Sequence, residues 1–161
     1  MKLFKIGAPI FALTVALIVI AAPIGPLPGF FIGGTPSEAP NNWPDTSAEH
    51  EIRLKVVDVL PRVVIIWMVE YNQELYVVGA ADSGWVRMIG ESAPVKMRLN
   101  DSTFDLVAQR VTADIEAIAT AYLDKYRADY PDIIANFPSV EEAEVSNSFR
   151  IFRLKRPAAK P

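Results

Sequence analysis

The chain has 161 residues, 51% of them hydrophobic and 22% charged, and carries a net charge of −3 at neutral pH. That length suits a single domain, and the acidic balance argues against a nucleic-acid binder, which shows the opposite sign and a basic stripe. The lack of any cysteine excludes disulfides, thiolate nucleophiles, zinc–thiolate sites and a lipobox-type lipid anchor, and one histidine, His50, is too few for a His-based triad or a multi-histidine metal site.

The N-terminal segment, 1–32, reads as a signal anchor or a signal peptide. Lys2 and Lys5 precede a stretch from Ile6 to Ser37 without a charged side chain, and Ile10–Ala22 is almost purely apolar. It is a little short of the roughly 20 residues that cross a bilayer. Ala21-Ala22 offers small residues for cleavage, but Pro23 follows them directly, so an uncleaved anchor is preferred. Phe30, Phe31 and Ile32 then extend the span or sit at its outer interface. The basic residues at the N-terminal end put that end in the cytoplasm and the rest on the extracytoplasmic, periplasmic side. Segment 33–47 is rich in Gly, Pro, Ser and Asn and reads as a linker, with Trp43 a clasp onto the domain. The domain is expected over 48–156, with a short tail at 157–161. All 19 acidic residues lie beyond position 37, against 14 of the 16 basic ones, a local balance of −5.

Within the domain, Ile52–Leu60 reads as a strand closed by Pro61. Arg62–Glu70 and Leu75–Gly79 are β-rich runs around a polar hinge, Tyr71–Glu74, which is a hairpin signal. Trp85–Glu91 is one or two helical turns. Pro94–Leu99 alternates Val95, Met97 and Leu99 against Lys96 and Arg98, and Thr103–Val111 pairs back across the turn Asn100-Asp101. Thr112 is expected to cap a helix reaching about Ala128, on which Ile115, Ile118, Ala119, Tyr122 and Tyr126 recur at helical spacing. A weaker helix covers Pro131–Phe137. Pro138–Asn147 is acidic and loop-like, and its Glu141, Glu142 and Glu144 read as a solvated run, not a metal site. Phe149–Leu154 is the last strand, read as an edge strand whose basic residues snorkel. This order predicts an α+β fold, a small antiparallel barrel with one main amphipathic helix.

One segment carries chemistry. After the second hairpin strand the chain passes through Gly79-Ala80-Ala81-Asp82-Ser83-Gly84 into Trp85 and Arg87. Small residues let a ligand approach the backbone, and Asp82 or Ser83 is placed to cap the next turn. A strand edge, a small-residue loop, an aromatic and an arginine make a nucleotide or phosphate seat. Bland readings stand beside this one: Trp67 as core, Arg87 as a solvated charge, and Arg62 paired with Asp58 or Glu51.

The domain resembles the split-barrel flavin-binding superfamily and, within it, the deazaflavin-dependent nitroreductase-like proteins. Pro61-Arg62-Val63-Val64 followed by Ile66-Trp67 is similar to the family's P-R-x-x-P-L/V-W strand, Leu75–Val78 to its third strand, and Ser83–Arg87 to the loop where the family writes W-x-x-N-L. Pro94–Val111 resembles the hairpin before the family's helix, and Arg150–Arg156 its closing strand. The family's basic, glycine-rich turn ahead of the second strand is replaced by Val57-Asp58-Val59-Leu60-Pro61-Arg62, so only Arg62 remains of it. The resemblance implies a split barrel that dimerises and binds a deazaflavin coenzyme (F-420 type) or FMN for hydride transfer. It places the ring near Ile65 and Trp67 and the tail toward Ala81, Ser83, Gly84, Trp85 and Arg87, with Arg62 and Arg87 as phosphate cations and Trp67 and Trp85 as floor or lid. The alternative is a non-catalytic envelope protein whose barrel presents a surface to a partner or an identical copy.

Overall fold

A computed structural model describes residues 29–158 of the chain. Its strands are β1 (Thr35–Ser37), β2 (Glu51–Val56), β3 (Arg62–Tyr71), β4 (Glu74–Ala80), β5 (Ser92–Leu99), β6 (Ser102–Arg110) and β7 (Phe149–Lys155). Its helices are α1 (Gly84–Ile89), α2 (Ile115–Arg127), α3 (Pro131–Ala135) and α4 (Val140–Ser146). Strands β6, β5, β2, β3, β4 and β7 follow one another antiparallel, and a β6–β7 pairing closes them into a barrel. The antiparallel α+β barrel expected from the hairpins is therefore present.

Alternation fills the barrel. Ile52, Leu54 and Val56 on β2, Val95, Met97 and Leu99 on β5, Leu106 and Ala108 on β6, and Phe152 and Leu154 on β7 all point inward and are buried together. The β3–β4 turn is tight, with Asn72 and Gln73 at φ 51° and 63°, so the strands run on to Tyr71 and Glu74. Two left-handed central residues match the strand twist of a two-residue hairpin. A second core lies outside the barrel, where Ile118, Tyr122 and Tyr126 of α2 cover Val69, Tyr76 and Ile151. The Tyr126 hydroxyl reaches into the end of the β2–β3 ladder. It accepts from the Met68 N–H (3.0 Å) and lies 2.6 Å and 2.7 Å from the carbonyl oxygens of Met68 and His50, its donor targets.

Several expected boundaries move. Strand β2 ends at Val56, and Val59 and Leu60 stand 94% and 76% exposed. Helix α2 starts three residues after Thr112. The Val111 N–H is still tied to the Ile151 carbonyl (2.9 Å), so the chain turns only at Asp114, which is left-handed at φ 56° and caps without its side chain. Pro138–Asn147 is not a loop. Ser139 and Glu142 form a reciprocal capping box that starts α4. Strand β7 is not an edge, because β4 and β6 flank it.

Within 33–47, β1 adds in parallel to β6, and Trp43 meets Phe104 edge-on at 5.2 Å. Thr46 is buried and donates to Glu70 (2.9 Å), while Lys125 holds the carbonyls of Thr46 and Glu49. Upstream, Gly29 exchanges both backbone hydrogen bonds with Val63, and Ile32 is buried. Of the expected membrane or signal segment, 1–32, positions 1–28 lie outside the described residues, while 29–32 include the Gly29 bridge and buried Ile32; among the described residues, no helix is long and apolar enough to cross a membrane.

Candidate functional site

The barrel wall parts on one side. Strands β3 and β4 pair only from Met68↔Val77 to Tyr71↔Glu74. Upstream, Arg62–Trp67 lie against β2 and, at Val63, against Gly29, while Val78–Ala80 lie against β7. The loop after β4 and helix α1 occupy this end. Trp85, Val86 and Ile89 anchor α1 in the barrel core, and the Trp85 ring sits 5.8 Å from that of Phe152. Gly79 makes this possible, because a Cβ there would overlap the Trp85 ring and Val86. A glycine inside a strand is the sequence signal for such an approach, and Gly79 both ends the β-rich run Leu75–Gly79 and opens the small-residue loop.

Arg62 crosses to the same corner. Its guanidinium rests on Gly84 so closely that a Cβ there would overlap Nη1. Neither Asp58 nor Glu51 pairs with it, and it has no carboxylate partner among the described residues. Arg87, one turn along α1, is exposed and likewise unpaired there. Ser83 occupies the N-cap position, but its hydroxyl makes no cap bond; the oxygen is buried without a hydrogen-bond partner. Asp82 is exposed, and Ala81 is held by its N–H on the Ser148 carbonyl (2.7 Å). Arg62 thus meets Gly84, next to Ser83 and one turn before Arg87, whereas Trp85 turns away into the barrel core. This corner carries two cations without a carboxylate partner among the described residues, and a buried hydroxyl without a hydrogen-bond partner.

Ile65 and Trp67 do not join them through their side chains. On β3 they share a face with Val69, outside the barrel, while Val64, Ile66 and Met68 face inward. Trp67 is stacked on Tyr126 at 4.3 Å and 14°, with Tyr130 at 4.6 Å, so its ring is covered. The two tryptophans lie on opposite faces of the wall, Trp85 within the core and Trp67 beneath α2, and cannot be floor and lid of one cleft. Ile65 retains a backbone role. Val63 turns its N–H and C=O to Gly29, and Ile65, two residues on, turns its own to the same side, where β4 has already diverged.

The Tyr122, Tyr126 and Tyr130 series packs α2 on the barrel. Burial raises the phenols of Tyr122 and Tyr126 well above the usual tyrosine range. His50 lies 3.2 Å from Asp129 at the surface, and no group of metal-ligating side chains occurs among the described residues.

No protein-family model and no curated protein matches this chain. Solved structures do. The heme storage protein HutZ from Vibrio cholerae is similar at 19% identity with a TM-score of 0.47, over 70% of this chain and 86% of that one. An FAD and heme binding protein from Mycobacterium smegmatis follows at 14% identity and 0.47, over 71% and 69%. A NimC/NimA family protein from Clostridium acetobutylicum follows at 13% and 0.43, over 65% and 71%. All three are remote likenesses of backbone shape.

Proposed function

We propose that this chain is a membrane-tethered split-barrel protein that binds a flavin-type cofactor, FMN or a deazaflavin coenzyme, with the anionic tail at the corner of Arg62, Ser83, Gly84 and Arg87. One observation carries the reading: the Arg62 guanidinium lies on a glycine, without a carboxylate among the described residues, beside a buried hydroxyl that has no partner. A buried polar oxygen without a partner costs about 1–3 kcal/mol, and an arginine presents paired donors suited to a phosphate. A bound tail supplies the counter-ion that Arg62 lacks among the described residues. Among the described residues no strand pairs with β3 at Ile65 on the side away from β2, and its backbone groups there suit a ring edge. When bound, such a ring supplies the hydride chemistry itself; the chain contributes the cations, the edge and a wall of packed apolar side chains. No catalytic side chain is assigned.

The tether is supported by position. The apolar N-terminal segment leads into Gly29, which is bridged to Val63; Phe30 and Phe31 after it are 49% and 69% exposed, and the β2–β3 turn bears exposed Val57, Val59 and Leu60. An exposed apolar patch of this kind marks a membrane or protein contact. The charges of Lys2 and Lys5 orient the barrel to the periplasmic side. The same patch, with both tryptophans packed away from the corner, favours the envelope-scaffold reading as the second choice.

The test is titration of the full chain in nanodiscs with FMN and with the deazaflavin coenzyme, followed by fluorescence and thermal shift. Binding to either supports the cofactor reading. No binding up to about 50 µM, equivalent to roughly 6 kcal/mol, removes it and leaves the scaffold. Light scattering of the same preparation checks for the homodimer that the family resemblance implies.

A further inference from the structure

A second cavity, of about 260 Å³, lies outside the barrel between β4 and β7 on one side and α2 and α4 on the other. It shares no residue with the Arg62 corner. Its wall is mostly apolar, with Val78, Ile115, Phe137, Phe149 and Ile151 contributing. Apolar cavities of this kind stay dry and take up apolar ligands. We propose that this cavity binds an amphipathic anion, a carboxylate carried on a medium-length acyl chain.

Charge selects the headgroup. The only charged side chains in the described wall are Arg110 and Arg150; no aspartate or glutamate is among them. Arg110 is already paired with Glu91 at 2.6 Å. Arg150 is half-buried, and its Nη1 donates to the carbonyl oxygens of Asn147 (3.0 Å) and Phe149 (2.8 Å), which bind the group but leave its charge unbalanced. A half-buried guanidinium without a counter-ion among the described side chains attracts an anion that follows it out of water. Tyr122 adds a donor. It is 5% exposed, and its hydroxyl makes no hydrogen bond among the described residues, although its ring packs in the outer core. Burial holds the phenol protonated, so it stays a donor at any ordinary pH.

Size selects the tail. Small-molecule sites run from about 300 Å³ upward, so this cavity suits a short flexible chain and not a flavin or a heme. The apolar wall rejects a bare phosphate or acetate, which would leave that surface unused. An alcohol of the same length would fill the wall but leave Arg150 unbalanced.

Isothermal titration of the full chain in nanodiscs, with empty discs as the blank, tests this with octanoate, octanol and acetate. Octanoate is expected to bind at least ten-fold more tightly than octanol, and acetate not to bind. Arg150→Met, which keeps an apolar stem and loses the charge, brings octanoate down to the octanol level. Ala143→Phe on α4 fills the cavity and abolishes both, with FMN binding unchanged. Equal affinity for octanoate and octanol overturns the proposal, as does octanoate binding that survives Ala143→Phe, or no octanoate binding at all. Should Ala143→Phe fail to fold, the octanoate-to-octanol ratio in Arg150→Met still decides.

Discussion

Gly84→Ala separates the anion corner from the fold. Gly84 opens α1 with an ordinary backbone conformation, so alanine is compatible with its local geometry and favours the helix by up to about 1 kcal/mol. The added methyl overlaps only the guanidinium of Arg62, the far end of a flexible side chain that swings away into solvent. Stability is therefore expected to change by less than about 0.5 kcal/mol, as for a surface substitution. Binding is another matter. Arg62 would leave its place on Gly84, and a hydrogen bond to a charged group contributes about 1.5–3 kcal/mol. Loss of that bond weakens FMN or deazaflavin binding about 10- to 100-fold. The assay pairs a urea melt with a fluorescence titration of the same preparation. A variant that binds as well as the parent refutes the corner as the anion seat. One that loses binding together with several kcal/mol of stability refutes the claim that Gly84 serves the ligand and not the fold.

Gly79→Ala is expected to do the reverse, since its methyl meets the Trp85 ring and Val86 inside the core; overpacking costs about 1–3 kcal/mol, read as a lower urea midpoint at unchanged slope. Tyr126→Phe keeps the stack on Trp67 but removes the hydroxyl donor from the Met68 carbonyl and leaves the His50 carbonyl only the long bond from the Met68 N–H (3.4 Å). It should cost about 1–3 kcal/mol by the same melt, and a loss below about 0.5 kcal/mol would contradict the ladder-end role. Stability should be flat across neutral pH and fall above about pH 10. There the unfolded chain loses the protons of Tyr122 and Tyr126 while burial keeps both phenols protonated in the fold. Each contributes a slope of up to about 1.4 kcal/mol per pH unit, and Tyr126→Phe should make the decline shallower. Because the chain has no cysteine, Val59→Cys gives a single labelling site. A dye there should be quenched by lipid-borne quenchers in nanodiscs, whereas one at Val145→Cys, also exposed, should not; equal quenching at both refutes the placement of the β2–β3 turn on the membrane.

Local pattern carried much of the architecture. Period-two alternation on β5 and β6, the polar hinge at Asn72-Gln73 and the four-residue spacing of Tyr122 and Tyr126 are each properties of a few adjacent residues, and each is legible without coordinates. The capping box of Ser139 and Glu142 was equally local, but its acidic surroundings resemble a solvated loop. Tertiary structure alone decided three things. Closure rests on pairs such as Val107↔Lys155, far apart in sequence, whose register no local pattern encodes. The parting of β3 from β4 depends on where β7 captures β4. The fate of the tryptophans depends on both faces of β3 being covered, one by the barrel core and one by α2. When both faces are apolar, alternation tells which residues travel together but not which side a ligand can reach, and so Trp67 left the site while Arg62 found Gly84.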